Sequence, residues 1–284
     1  MVARDFLELT KPRIVVLVLV TVAAGFALGA SGPFSVVALL HTLVGTALAA
    51  GGTNALNQVW EADVDARMRR TRGRPIPAGR LSPRDAARFA WLSGAAGVAY
   101  LWIAVNPLAA SLAGATLLSY VFLYTPLKRR TGLATLVGAV PGALPVLGGW
   151  AAARGALGAE AWVLFGMMYL WQLPHVLALS WIHREDYAAA GLRQLSGTDA
   201  GGRITFAYAT LAATTLLALA LAPRALGMAG NAYAAGAAAL SGVLLWASVS
   251  AAREPTPVRA RRLFTVSLGY WPAVMTLLLA DKLL

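Results

Sequence analysis

Nine stretches of this chain are long and apolar enough to cross a bilayer, and that repetition constrains the fold more than any other feature. They lie near 13–30, 35–58, 85–105, 108–126, 133–151, 160–182, 204–222, 229–251 and 262–281. Roughly 30 Å of hydrocarbon takes about 20 helical residues rising 1.5 Å each. Lipid offers no partner to a free backbone N–H or C=O, so such spans must be helical. The sequence therefore predicts an all-α integral membrane protein, a single domain over 1–284. Its nine transmembrane helices would form one bundle around a central apolar cavity opening to the cytoplasmic side. Ser82-Pro83 gives the third span a helix start, and the short Asn106-Pro107 break makes a tight hairpin of spans three and four. With 58% hydrophobic and only 13% charged residues, a soluble enzyme and a disordered chain are both excluded. The absence of cysteine excludes disulfide scaffolds, thiol catalysis and thiolate metal sites.

The formal charge is nonetheless +12, with 24 Lys and Arg against 12 Asp and Glu. If nine spans alternate, Arg4, Lys11 and Arg13 share one side with the eight arginines between Arg67 and Arg88. Lys128, Arg129, Arg130, Arg184, Arg193, Arg203, Arg253, Arg259, Arg261 and Arg262 fall on that side too. Only Arg154, Arg224 and Lys282 remain opposite. Positive charge gathers on the cytoplasmic side of membrane proteins, so the N-terminus is expected inside and the C-terminus outside. The excess charge is thus a topology signal rather than a nucleic-acid footprint. The first span follows Lys11-Pro12-Arg13 and does not read as a cleavable signal peptide.

The acidic residues are clustered too. Asn57, Glu61, Asp63 and Asp65 run out of the cytoplasmic end of span two, and Glu185 and Asp186 sit at the same end of span six. A spacing of four puts Asn57, Glu61 and Asp65 on one helical stripe about 12 Å long, drifting about 40° per step. Two carboxylates and an amide oxygen are hard ligands that suit Mg²⁺ or Mn²⁺, and Mg²⁺ usually completes its shell with water and substrate phosphate. Arg67, Arg69, Arg70, Arg72 and Arg74 follow directly. Guanidinium matches phosphate oxygens bidentately, so stripe and arginine run together read as a metal–diphosphate site. Asp63 would point away from Glu61 and reads equally well as a solvated acid.

Three further elements carry polar groups. In Tyr124-Thr-Pro-Leu-Lys128, Pro126 should end or kink its span and leave Tyr124 and Lys128 at the interface, where an aromatic belt with a snorkelling lysine is the alternative reading. Trp171-Gln172-Leu-Pro174-His175 lies within span six, where a glutamine and a histidine need a cavity or a partner. Imidazole there suits haem iron or a carboxylate, or simple helix packing. His41, near the outer end of span two, reads as structural.

The run from Asn57 to Pro75, Asn-Gln-Val-Trp-Glu-Ala-Asp-Val-Asp-Ala-Arg-Met-Arg-Arg-Thr-Arg-Gly-Arg-Pro, resembles the signature of the protohaem IX farnesyltransferases, within the UbiA-type superfamily of intramembrane prenyltransferases. Leu9-Thr-Lys11-Pro12-Arg13, Pro75-Ile-Pro77-Ala-Gly79-Arg80, Tyr124-Thr-Pro-Leu-Lys128-Arg129, Gly138-Ala-Val-Pro141-Gly142-Ala, Trp171-Gln-Leu-Pro174-His175 and Arg184-Glu185-Asp186-Tyr187 match in order. The likeness is dense over about 8–195. The resemblance implies Mg²⁺-dependent transfer of a farnesyl group from farnesyl diphosphate to the 2-vinyl group of protohaem IX (haem B, a substrate rather than a cofactor), with addition of water. Metal ligands would be Asn57, Glu61, Asp65, Glu185 and Asp186. Tyr124, Lys128, Arg67, Arg70 and Arg74 would act on the diphosphate, and Asn54, Arg69, Arg72, Gln172, His175 and Tyr187 would contact substrates. The catalytic connections would be about 59–84, 127–132 and 183–203. A bacterial cytoplasmic membrane, with contacts to lipid and to a haem A synthase or terminal oxidase assembly factors, is the expected setting. Two alternatives stay open from the residues alone: a superfamily enzyme acting on an aromatic quinone precursor, and a secondary transporter for an anionic substrate.

Overall fold

A computed structural model of the protein describes residues 2–199 and 201–283. Among them all regular structure is helical. Among the described residues, eight helices are long and apolar enough to cross a membrane: Pro12–Gly29, Val36–Trp60, Pro107–Leu127, Ala134–Arg154, Ala159–Ile182, Arg203–Ala225, Asn231–Arg253 and Pro257–Lys282. Each overlaps a stretch expected from the sequence. The expected third span is also a helix, Pro83–Ala104, of 22 residues. It falls short in apolarity, because Arg84, Asp85 and Arg88 occupy its first turns and Ser93, Gly94 and Gly97 dilute the rest.

Local chemistry sets the helix ends. Ser35, Ser82 and Asn106 cap three helices, each side-chain oxygen accepting a backbone N–H three residues on. Pro83 and Pro107 follow two of those caps, where a missing N–H has no consequence. The helix ending at Leu127 is irregular: it is α-helical to Leu118, widens into a π-turn over Ser119–Tyr124 and closes as Thr125–Leu127. Pro126 explains this. In regular α-geometry its ring would strike the carbonyl four residues back. Widening the turn moves the ladder instead, and both the Thr125 N–H and its Oγ1 donate to the Tyr120 carbonyl.

The chain divides into two compact units. One takes the chain up to Arg129 together with Leu144–Leu157 and Ala189–Gly191; the other takes Arg130–Ala143, Gly158–Ala188 and the chain from Leu192 on. In the first unit Val36–Trp60 packs along Pro83–Ala104 with almost no side-chain spacer. A Cβ on Gly52 would lie 2.6 Å from Gly94 Cα, and one on Gly97 would lie 2.7 Å from the Gly45 carbonyl. Lipid is as apolar as leucine, so helices associate there through close contact of small residues and through hydrogen bonds. The same pair is tied by His41 Nδ1 to Tyr100 Oη at 2.7 Å and by Ser93 Oγ to the Leu48 carbonyl at 2.9 Å. Large apolar side chains such as Leu17, Val20 and Leu211 stand exposed on candidate spans, as lipid-facing positions should.

The connection from Met68 to Ser82 is folded, not trailing. Met68, Ile76 and Leu81 are buried, and Thr71 Oγ1 donates to the Asp65 carbonyl. The amphipathic helix Val2–Leu9 docks on it through Leu9, fully buried beside Leu56, Ile76 and Leu81, and through Arg80, which pairs with Asp5 and Glu8 at 2.7 and 2.8 Å. In the second unit, Ala159–Ile182 packs with Arg203–Leu219 and Pro257–Leu283, and Asn231–Arg253 packs with both of those helices.

Candidate active site

The expected stripe forms where Val36–Trp60 ends. Glu61 breaks helical geometry with φ −105° and ψ 12°, and a second short helix, Ala62–Arg67, follows. The four-residue register survives the break, since Glu61 N–H donates to Asn57 O at 3.0 Å and Asp65 N–H to Glu61 O at 2.7 Å. Asn57, Glu61 and Asp65 are 2%, 7% and 1% exposed, so two carboxylates are buried together. Burying a charge is costly unless it is paired. Both are paired: Lys128 Nζ lies 2.7 Å from Glu61 Oε1 and donates to Oε2 at 3.0 Å, and Arg74 Nη1 donates to Asp65 Oδ2 at 2.5 Å. Both Glu61 oxygens thus lie against the Lys128 ammonium.

Asn57 is the hub. Its Oδ1 accepts from Lys11 Nζ at 3.0 Å, and its Nδ2 donates to Glu61 Oε2 at 2.8 Å and to Thr125 Oγ1 at 3.2 Å. The Lys128 ammonium also sits 4.5 Å from the centre of the Tyr124 ring, against which Tyr120 packs edge-on at 5.1 Å. Burial lowers the Lys11 pKa to about 7, with repulsion from Arg74 and Lys128 adding to it against Glu61 and Asp65. Burial would lower Lys128 too, but Tyr124 and Glu61 beside it more than reverse this and hold its pKa above the ordinary lysine value. Three basic side chains thus surround two carboxylates, an arrangement with room for added negative charge.

Of the residues singled out from the sequence, Asn57, Glu61, Asp65, Arg74, Tyr124 and Lys128 come together in this cluster. Arg67, Arg69, Arg70 and Arg72 are exposed around it, and only Arg67 has an ion pair among the described residues, 3.9 Å from Asp63. Asn54 is buried, but its amide is engaged by the Thr10 carbonyl at 3.2 Å. Sequence reasoning missed Lys11, Thr125 and Tyr120 as members. Lys11 reads from the sequence as a topology charge, and only its long-range bond to Asn57 places it in the cluster.

The second unit holds the other candidates. Glu185 is exposed beside Arg184 at 3.7 Å, Asp186 is half-buried, and Tyr187 packs its ring near His183. His175 Nδ1 lies 2.9 Å from Ser267 Oγ, with its ring stacked between Trp171 and Phe264. Gln172 Nε2 donates to the Ala139 carbonyl at 2.7 Å, and a Cβ on Gly142 would collide with the Gln172 amide. Among the described residues no three His, Asp or Glu side chains gather into one metal-ligating group.

Residues 18–273 match the UbiA prenyltransferase family. The chain belongs to that family. It is 43% identical to a protohaem IX farnesyltransferase of Solibacter usitatus over 98% of this chain and 99% of that protein. A relative this similar over its whole length places the chain among the protohaem IX farnesyltransferases of the family, and it is an enzyme, a prenyltransferase of the membrane. A digeranylgeranylglyceryl phosphate synthase shares the fold with a TM-score of 0.84 at 15% identity, covering 99% of this chain and 98% of that one. A UbiA homologue of Archaeoglobus fulgidus, solved with geranyl diphosphate and Mg²⁺, shares it with a TM-score of 0.67 at 16% identity, covering 99% and 100%.

Proposed function

We propose that this UbiA-family enzyme transfers the farnesyl group of farnesyl diphosphate to the 2-vinyl group of haem B with addition of water, giving haem O and diphosphate. The observation that carries the reaction class is the buried cluster of Asn57, Glu61 and Asp65 with Lys128 and Arg74 on its carboxylates. Haem as acceptor follows from the 43% identity to a protohaem IX farnesyltransferase.

The donor set fits Mg²⁺. It offers only hard oxygens, two carboxylates and an amide on one stripe, too few to complete an octahedron without phosphate and water. The Mg²⁺-bound Archaeoglobus homologue supports the same choice, and Mn²⁺, which takes the same oxygen ligands, is the proposed substitute. Asn57, Glu61 and Asp65 in the first unit, and Glu185 and Asp186 in the second, would be the residues that hold Mg²⁺ ions. Bound there, it would neutralise and polarise the diphosphate.

The chain's own residues do the rest. Lys128 and Arg74, released from Glu61 and Asp65, turn to the diphosphate and stabilise it as it leaves, with Arg67 and Arg70 completing the positive field. Tyr124 donates a hydrogen bond to the diphosphate or flanks the allylic carbon. Asn54, Arg69, Arg72 and Tyr187 contribute to substrate binding, and Gln172 and His175 flank the haem. As the C1–O bond breaks, the vinyl carbon bonds to C1, water adds to the cation so formed, and one proton departs. The apolar cavity of the bundle keeps other water from the allylic cation.

Nine spans, with Pro83–Ala104 as the ninth, place both termini as the charge distribution requires: N-terminus and catalytic loops on the cytoplasmic side, C-terminus outside, in one domain of a bacterial inner membrane. Contacts with a haem A synthase or oxidase assembly factors complete the setting. The test is direct. Purified enzyme given farnesyl diphosphate, Mg²⁺ and haem B should yield haem heavier by one farnesyl group and one hydroxyl in mass spectrometry. Unchanged haem beside a prenylated hydroxybenzoate would move the acceptor to the quinone class.

A further inference from the structure

Two ion pairs join the same two segments of the first unit. Lys128 meets Glu61, and the next residue, Arg129, meets Asp63, two residues past Glu61. They differ in depth. The side chains of the Lys128–Glu61 pair are 10% and 9% exposed, those of Arg129–Asp63 are 40% and 50% exposed. The outer pair is the more fully made. Arg129 Nη1 donates to Asp63 Oδ2 at 3.0 Å, Nη2 donates to Oδ1 at 2.5 Å, and Nη2 also reaches the Trp60 carbonyl at 3.2 Å. That fork ties the Lys128 segment both to Asp63 and to the last residue of the Val36–Trp60 helix. A lysine could not reproduce it.

The difference in depth matters once the site fills. In the function proposed above, on which this inference rests, Glu61 turns to metal and Lys128 to diphosphate, so the inner pair opens. The Lys128 segment is then weakly held. It is one short helical turn, Thr125–Leu127, entered from a π-turn, and its other tie runs from Thr125 to Asn57, itself a metal-ligand candidate. The Arg129–Asp63 pair faces solvent and lies outside the buried cluster, so substrate has no reason to break it. We propose that Asp63 and Arg129 are positioning residues. They keep the Lys128 segment in register with the Glu61 helix while the inner pair is open, so that Lys128 is already placed when diphosphate arrives. Asp63 thereby acquires a role that the ligand stripe does not give it, since it points away from that stripe.

The test uses the full-length enzyme in detergent and four variants: Asp63→Asn, Arg129→Gln, Arg129→Lys and the exchange Asp63→Arg with Arg129→Asp. Each single change should raise KM for farnesyl diphosphate about three- to tenfold while kcat stays within about twofold, as loss of an exposed but bidentate pair implies. The exchanged pair should recover most of the loss. Equilibrium binding of farnesyl diphosphate with Mg²⁺, which needs no acceptor, should show the same pattern. Failure to form haem O in the wild type would count against the proposed acceptor and leave this binding measurement intact. Singles that bind as the wild type does, or an exchange no better than the singles, would overturn the positioning role. Arg129→Lys preserves charge and bulk, so it serves as the folded reference if a neutral variant is lost to misfolding, and normal binding by it would also count against the fork.

Discussion

Each carboxylate in the buried cluster is paired with a base, so removing one side of a pair leaves the other buried and uncompensated. Glu61→Gln with Asp65→Asn should cut Mg²⁺-dependent prenyl transfer by about 100-fold or more, since both the metal oxygens and the partners of Lys128 and Arg74 change. A steady-state assay across Mg²⁺ concentrations checks it, and near wild-type rates would remove the metal assignment. In the second unit, Gly142→Ala should destabilise the fold by about 1–3 kcal/mol, because the added methyl drives into the Gln172 amide and displaces its bond to Ala139. Thermal unfolding in detergent measures this. Some of this detail was legible from the sequence. The Asn57–Glu61–Asp65 spacing is local, and a helix turns it into a stripe whatever surrounds it. His41 read as structural and is hydrogen-bonded to Tyr100. The roles of Lys11 and Thr125 were not legible. Each stands far along the chain from Asn57, and only folding brings them to it.

At the scale of elements, the π-turn ending the Pro107–Leu127 helix aims Tyr124 and Lys128. Pro126→Ala removes the ring that forbids regular α-geometry, so the turn can tighten and rotate Lys128 relative to Glu61. Transfer activity should fall about tenfold, with the thermal midpoint unchanged or raised, as expected when a strained functional element relaxes. A fall in both together would mean that Pro126 serves packing alone. The crossing of Val36–Trp60 and Pro83–Ala104 makes a different prediction. Gly97→Val places a branched side chain against the Gly45–Ala49 backbone and should lower the yield of folded protein in detergent extracts more sharply than Gly148→Val, whose Cβ meets nothing within 4 Å. A kink at Pro126 could be expected from sequence, because proline acts on its own helix. The partner faces of the two helices could not, since lipid leaves small residues no hydropathy contrast to read.

For the whole molecule, the proposed orientation has a simple check, because the chain contains no cysteine to compete. Single cysteines at the exposed positions Arg84 and Ala225 should react with a membrane-impermeant maleimide from opposite sides, position 84 only from the cytoplasm. Labelling of both from one side would overturn the nine-span topology and return Pro83–Ala104 to a non-spanning helix. That helix shows where sequence reading reaches its limit. Its length and start were evident, but its charged first turns leave span or surface helix undecided by composition. By itself the sequence determined that the chain is helical and lives in lipid, where its charges concentrate, and which short stripe offers oxygen ligands. These follow from hydropathy, charge and the helical period, all of which act over a few residues. Only the tertiary structure decided which bases neutralise which carboxylates and that Lys11 and Thr125 join them. It also set a surface pair, Arg129–Asp63, beside a buried one. Those choices depend on segments tens of residues apart meeting at about 3 Å, and no local pattern encodes that distance.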